Sequence, residues 1–232
     1  MIKDQSKKKA IVLFSGGLDS TTLLAYTLNK GFDVFPLTIQ YGQRHSVEIK
    51  KGCQTLLKYG LESSVIKFNI DLTPFKTCSL VNREIPVPEQ CDDDSIPSTY
   101  VPSRNLIFLS IASGMAETIG AEKIFIGVNA IDYSGYPDCR PEFIKAFNSS
   151  LKVGTKQGVE KELSVEAPFI NMSKKEIIEL GVSLGVDYGL THSCYSPDEN
   201  GVSCGKCDSC KLRLSGFRQA KIKDPLDYLS AL

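Results

Sequence analysis

Four cysteines, Cys194, Cys204, Cys207 and Cys210, fall within seventeen residues at the spacing Cys-x9-Cys-x2-Cys-x2-Cys, whereas Cys53, Cys78, Cys91 and Cys139 are scattered. Each Cys-x2-Cys turn presents two sulfurs to one side. The excursion through Pro197, Asn200 and Gly201 folds back to supply the fourth. Lys206, in one of the turns, helps keep neighbouring thiolates ionised. Four buried thiols without a metal is the bland alternative, and it leaves the clustering unexplained. A closed four-thiolate site is the usual structural Zn²⁺ arrangement, so zinc is expected, with an iron–sulfur site as the alternative. Its role would be to fold residues 191–232, which have little apolar core of their own.

The second chemical feature is Ser15-Gly16-Gly17-Leu18-Asp19-Ser20, directly after the apolar run Ala10 to Phe14 and directly before a helical pattern. Two glycines let the backbone turn tightly and approach a phosphate, while helix N-terminal amides point at the anion. Ser15 and Ser20 add hydroxyls. A carboxylate beside a polyphosphate repels it unless a cation intervenes, so Asp19 is assigned to Mg²⁺. The cofactor-binding stretch is thus Phe14, Ser15, Gly16, Gly17, Leu18, Asp19, Ser20 and Thr21. The competing reading is a plain strand-to-helix turn. A Walker A loop is absent: Gly201 to Lys206 has three residues between its glycines and is followed by Cys207.

These features need a scaffold, and the chain supplies one. Its 232 residues are 42% hydrophobic and 23% charged, enough for one sizeable domain. Strands are expected at 10–14, 33–39, 64–68, 122–128 and 163–167. Helices are expected at 20–30, from a Ser46 cap to Gly60, at 105–119, at 173–184, and at 208–220 with Asp208 as N-cap. Strands alternating with helices make βαβ units, so the class is α/β, a doubly wound parallel five-stranded sheet. If the order is 3-2-1-4-5, ligands bind where it reverses, between strands one and four. The loops after those strands, the phosphate loop and 127–143, then face one cleft.

Residues 71–104 break the rhythm with five prolines and the acidic run Asp92, Asp93, Asp94, and read as a lid or mobile loop. Residues 153–161 read as irregular and exposed. The division expected is 1–190 for nucleotide binding and 191–232 for the metal. Twenty-seven basic and twenty-seven acidic residues give zero net charge, which argues against a nucleic-acid partner. The five-residue apolar run near the N-terminus is too short for a signal-peptide core, and no run suits a membrane span. A cytoplasmic protein with thiols rather than disulfides is expected.

Three further segments carry more polar residues than packing requires: Gln40 to His45, Val101 to Asn105, and Gly127 to Phe143. The hexapeptide resembles the signature of the PP-loop ATP pyrophosphatases, a superfamily that includes GMP synthetase and asparagine synthetase. Pro168 to Ile177 looks like a second segment of that superfamily, in which a lysine at the position of Lys174 reaches the phosphates. A solvated surface lysine is the alternative. Together with Tyr41-Gly42-Gln43-Arg44-His45, Arg104-Asn105, Tyr136-Pro137-Asp138-Cys139-Arg140-Pro141-Glu142-Phe143 and Cys204-Gly205-Lys206-Cys207-Asp208-Ser209-Cys210, the whole resembles the 7-cyano-7-deazaguanine synthase family, from Ile11 to about Phe217.

That resemblance implies an ATP-dependent carbon–nitrogen ligase of queuosine biosynthesis that turns 7-carboxy-7-deazaguanine and ammonia into the nitrile. It also implies a four-cysteine zinc site and a homodimer. Catalytic roles then fall to Asp19, Lys174, Arg104 and His45, the last moving a proton. Asp138, with Asp132 second, is the candidate for the N1–H and 2-NH₂ donors of the base. Arg104 or Arg140 would hold the substrate carboxylate or α-phosphate. Tyr41 and Tyr136 would stack on the ring, and Arg44 belongs with the substrate. The bland alternatives are loop salt bridges, exposed tyrosines and a polar helix cap. Two rival functions remain: a PP-loop tRNA-thiolating enzyme, disfavoured by the charge balance, and a nucleotide-binding module without chemistry.

Overall fold

The computed structural model of the protein describes residues 7–44, 47–89, 96–129 and 135–230. Five parallel strands, β1 (Lys9–Leu13), β2 (Asp33–Gln40), β3 (Ile66–Asn69), β4 (Lys123–Phe125) and β5 (Ser164–Glu166), form one sheet in the order β3-β2-β1-β4-β5. Ile11 of the central strand is in register with Phe35 on one side and Ile124 on the other. Because side chains alternate along a strand, Ile11 joins a core containing Leu37, Leu109, Ile124 and Phe147. Its neighbours Ala10 and Val12 join a second core with Leu23, Phe169, Ile177 and Phe217. Both faces of β1 are therefore buried, which is what makes its sequence read as one continuous apolar run.

Seven α-helices flank the sheet among the described residues: α1 (Leu18–Asn29), α2 (Val47–Lys58), α3 (Arg104–Ile119), α4 (Pro141–Gly154), α5 (Lys156–Glu160), α6 (Lys174–Ser183) and α7 (Asp208–Gln219). Three depart from expectation. Residues 153–161 are helical: α4 runs to Gly154, and in α5 the buried Gln157 donates to the Ala121 carbonyl at 2.6 Å. The signal was present, since Pro141 opens α4 and Ile144, Phe147 and Leu151 form its buried stripe. Asp208 is the first helical residue rather than the cap. Cys207 holds the cap position and makes no side-chain cap bond, its sulfur facing the cysteine cluster instead.

The described parts of 71–104 fold into a small core of Leu72, Cys78, Leu80, Val81 and Val101 against Tyr41. The acidic run and Cys91 lie outside the described residues, as does the expected Ser46 cap. The C-terminal segment packs on the sheet layer through α7, whose Phe217 sits edge-on to Tyr188, with ring centroids 5.4 Å apart. Among the described residues no helix is long and apolar enough to cross a membrane.

Candidate active site and metal centre

A cavity of about 350 Å³ opens beyond the carboxyl ends of β1 and β4, where the strand order reverses. Its floor is the phosphate loop. Gly16 has φ +87°, and a Cβ there would lie 2.5 Å from the Glu48 carbonyl oxygen, so the loop accepts only glycine. Ser15 Oγ receives the Gly17 amide at 3.2 Å and lies 3.1 Å from Ser20 Oγ. The N-terminus of α1, at Gly17, carries no side-chain cap of its own. Its amides and dipole suit an anion.

Above this floor, Lys174 Nζ donates to both carboxylate oxygens of Asp19, at 2.7 and 2.8 Å. Lys174 is the first residue of α6, set by a capping box in which Ser173 and Glu176 bond reciprocally. α7 holds it from behind: a Cβ on Gly216 would come within 2.6 Å of Lys174 Cγ.

The opposite wall is built on Arg104, the first residue of α3. Tyr41, Tyr136 and Tyr195 surround its guanidinium, and Tyr41 hydrogen-bonds it. Burial raises all three phenols, Tyr136 to about 12, so they remain neutral donors at physiological pH. Tyr136 donates to Thr99 Oγ1 at 2.7 Å. Tyr41 is fixed edge-on to Phe108, with ring centroids 5.5 Å apart. Glu48 completes this side. Burial raises its carboxyl to about 7, although a hydrogen bond from Gln43 and the charge of Arg104 pull the other way.

Of the residues expected at the site, Phe14, Ser15, Gly17, Leu18, Asp19, Ser20, Tyr41, Arg44, Arg104, Tyr136 and Lys174 all line the cavity. Gly16 and Thr21 lie behind that surface. Arg44 also donates to the carbonyls of Ser79, Arg83 and Ile85, tying the 71–89 stretch to the cavity mouth. Asp138 is buried one layer back, where its Oδ2 accepts the Asn105 amide at 2.9 Å and so caps α3 from outside. Arg140 is exposed and is the N-cap of α4. His45 and Asp132 lie outside the described residues. Reading the sequence missed Glu48, because a glutamate in a first helical turn reads as a dipole complement. It also missed Ser193 and Tyr195, which flank Cys194 and were hidden by the cysteine pattern.

The four cysteine sulfurs lie within 4.8 Å of one another, and those of Cys204 and Cys210 are 3.9 Å apart. Tetrahedral Zn–S bonds of about 2.3 Å place sulfurs roughly 3.8 Å apart, so one ion fits. Peptide amides point at the sulfurs: Ser196 and Cys204 at Cys194, Cys207 at Cys204, and Tyr195 at Cys207, at 3.2 to 3.5 Å. Hydrogen bonds from Cys194 and Cys210 hold the Cys207 thiol far below its ordinary value. The same segment grips the phosphate loop, since the His192 amide donates to the Gly16 carbonyl and Ser193 Oγ accepts the Leu18 amide.

The family model for "Queuosine biosynthesis protein QueC" matches residues 9–221. A relative named 7-cyano-7-deazaguanine synthase from Cellvibrio japonicus is 50% identical over 96% of this chain and 99% of its own. Another of that name from Coxiella burnetii is 48% identical over the same shares. Among solved structures, a 4-thiouridine synthetase–RNA complex with bound ATP has 18% identity and a TM-score of 0.49, covering 92% of this chain and 50% of that one. NMN synthetase from Francisella tularensis has 12% identity and a TM-score of 0.47, covering 94% and 79%. Likeness that low says nothing about activity; the sequence match does, and the chain belongs to the QueC family of queuosine biosynthesis proteins.

Proposed function

We propose that the chain is an ATP-dependent ligase that converts 7-carboxy-7-deazaguanine and ammonia to 7-cyano-7-deazaguanine, in the cytoplasm, as a homodimer and without a nucleic-acid partner. The observation that carries this reading is one cavity with an anion-binding floor at Ser15–Ser20 and a cationic, phenol-lined wall at Arg104. A carboxylate is a poor electrophile. Its oxygen must first attack the α-phosphate of ATP, releasing pyrophosphate, before ammonia displaces AMP to give the amide. The amide oxygen must then leave in its turn, and a second adenylation at the same floor permits that.

Residue roles follow from placement. The α1 amides, Ser15 and Ser20 hold the phosphates. Lys174 leaves Asp19 to follow the departing pyrophosphate as a mobile point charge. Asp19, freed, would hold Mg²⁺, which would neutralise phosphate charge there. Arg104 orients the substrate carboxylate, with Tyr41 and Tyr136 against the ring. Asp138 acts on the substrate by fixing α3, and hence Arg104. Cys194, Cys204, Cys207 and Cys210 would hold Zn²⁺ as a structural ion, and the segment they anchor carries Ser193 and Tyr195 into the wall.

The test is incubation with ATP, ammonia and 7-carboxy-7-deazaguanine, followed by mass spectrometry. Formation of the nitrile with two AMP per product supports the assignment. A protein that makes no nitrile while turning over ATP on another acceptor overturns it.

A further inference from the structure

Glu48 stands where the two halves of the cavity meet. Its peptide carbonyl presses on Gly16, so the first turn of α2 is seated on the phosphate loop. Its carboxyl lines the cavity and accepts from Gln43 Nε2 at 3.4 Å. Gln43 has no freedom to flip, because its Oε1 is held by the Tyr41 amide at 2.8 Å and only the NH₂ faces Glu48. The Glu48 carboxylate thus belongs to the cavity that holds both the Ser15–Ser20 floor and Arg104, whose charge acts on it, and an acyl carbon being adenylated must sit between those two.

The chemistry of that carbon needs a base. All three hydrogens of ammonia leave as protons: one when attack on the acyl adenylate expels AMP, and two when the adenylated amide collapses to C≡N with loss of the second AMP. Among the described residues none of the roles assigned above takes them; His45, expected to move a proton, lies outside those residues. The ionisable groups facing this part of the cavity, among the described residues, are Tyr41 and Arg44 after β2, Arg104 of α3, Tyr136 and Cys139 before α4, Asp19 and Lys174 at the floor, and His192 and Tyr195 of the C-terminal segment. Asp19 and Lys174 are tied to each other, Arg44 is bound to three carbonyls, the phenols and the Cys139 thiol are raised by burial, and His192 is only 3% exposed.

Resting on the ligase reading, we propose that Glu48 is the general base of both half-reactions, accepting each proton from the substrate nitrogen and passing it to water at the cavity mouth. A carboxyl held near 7 is poised to take and return a proton at physiological pH.

The test separates adenylation from proton transfer in the wild-type enzyme, Glu48→Gln and Glu48→Asp. Exchange of labelled pyrophosphate into ATP, driven by the carboxy substrate without ammonia, reports adenylation alone. Amide formation, and nitrile formation from the preformed amide, report the proton-releasing steps. Glu48→Gln is expected to keep exchange within about threefold while both later steps fall roughly 10²-fold or more. The limb near pH 7 in their rate profile, present in the wild type, should vanish, and Glu48→Asp should restore part of the rate and the limb.

Unchanged amide and nitrile rates in Glu48→Gln, or a limb that persists there, would overturn the proposal. So would loss of exchange together with ligation, which places Glu48 in adenylation or folding, or a raised KM for the carboxy substrate at unchanged kcat, which makes it a reader of the base. If the wild type makes no nitrile from that substrate, ATP and ammonia, the ligase reading itself fails, and this proposal with it.

Discussion

Lys174 Nζ lies 2.7 and 2.8 Å from the two carboxylate oxygens of Asp19, across a gap of 155 residues in sequence. Each charge thus occupies the place where the other's ligand would bind. The pair holds both side chains over the Ser15–Ser20 turn, and in the function proposed above a Mg²⁺–polyphosphate complex would replace it by offering a cation to Asp19 and anions to Lys174.

Lys174→Met should therefore lower ATP-dependent turnover by about 10² to 10³ with little loss of stability, since a methionine keeps the packing of the stem against Gly216. Asp19→Asn should do the same and demand more Mg²⁺. The check is kcat and KM for ATP across a Mg²⁺ titration, with thermal melts alongside. Wild-type kinetics in either variant would return both residues to a structural ion pair.

Metal loss should reach the nucleotide site. As purified, the protein is expected to be colourless with about one zinc per chain. Cys207→Ser, or stripping with a chelator, should lower Tm by roughly 10 °C, as loss of a few kcal/mol does in a chain of this size. It should weaken ATP binding as well, because His192 and Ser193 grip the phosphate loop just before Cys194. Metal analysis, melts and ATP titration calorimetry check this; a brown, iron-containing protein would contradict the zinc assignment.

Asp138→Ala should cost about 1 to 2 kcal/mol, the value of a helix cap beside a helix dipole. Asp138→Asn keeps an oxygen for the Asn105 amide and should cost less. Both should weaken the carboxy substrate, through the displaced N-terminus of α3, more than they weaken ATP. Separate titrations of the two ligands decide it: an ATP affinity that collapses while substrate binding holds would move Asp138 to the nucleotide side.

The raised Glu48 carboxyl makes stability depend on pH. Folding favours its protonated form, so wild-type stability should fall as pH rises from its ordinary 4.5 to about 7, then level off. Glu48→Gln removes that slope and should leave the protein more stable than wild type at pH 8, by on the order of 1 to 3 kcal/mol. Urea melts at pH 5 and pH 8 measure it, and equal slopes in the two proteins would show that burial of Glu48 costs nothing.

The sequence by itself determined the alternation of strands and helices, the tight glycine turn at Ser15–Ser20 and the clustering of four cysteines, because each rests on local chemistry: an apolar run buried on both faces, glycines at a turn, thiols at close spacing. Even there it lost α4, whose stripe of Ile144, Phe147 and Leu151 was masked by a polar approach at 132–140. Only the tertiary structure decided which polar residues share the cavity. Asp138 and Glu48 are both carboxylates near a helix start. Long-range packing turned Asp138 inward to cap α3, and it turned Glu48 onto the wall beside Arg104. No spacing in the chain records that difference, since burial depends on which distant segment covers a residue, and the segment that closes this cavity, 192–195, lies about 140 residues beyond α2.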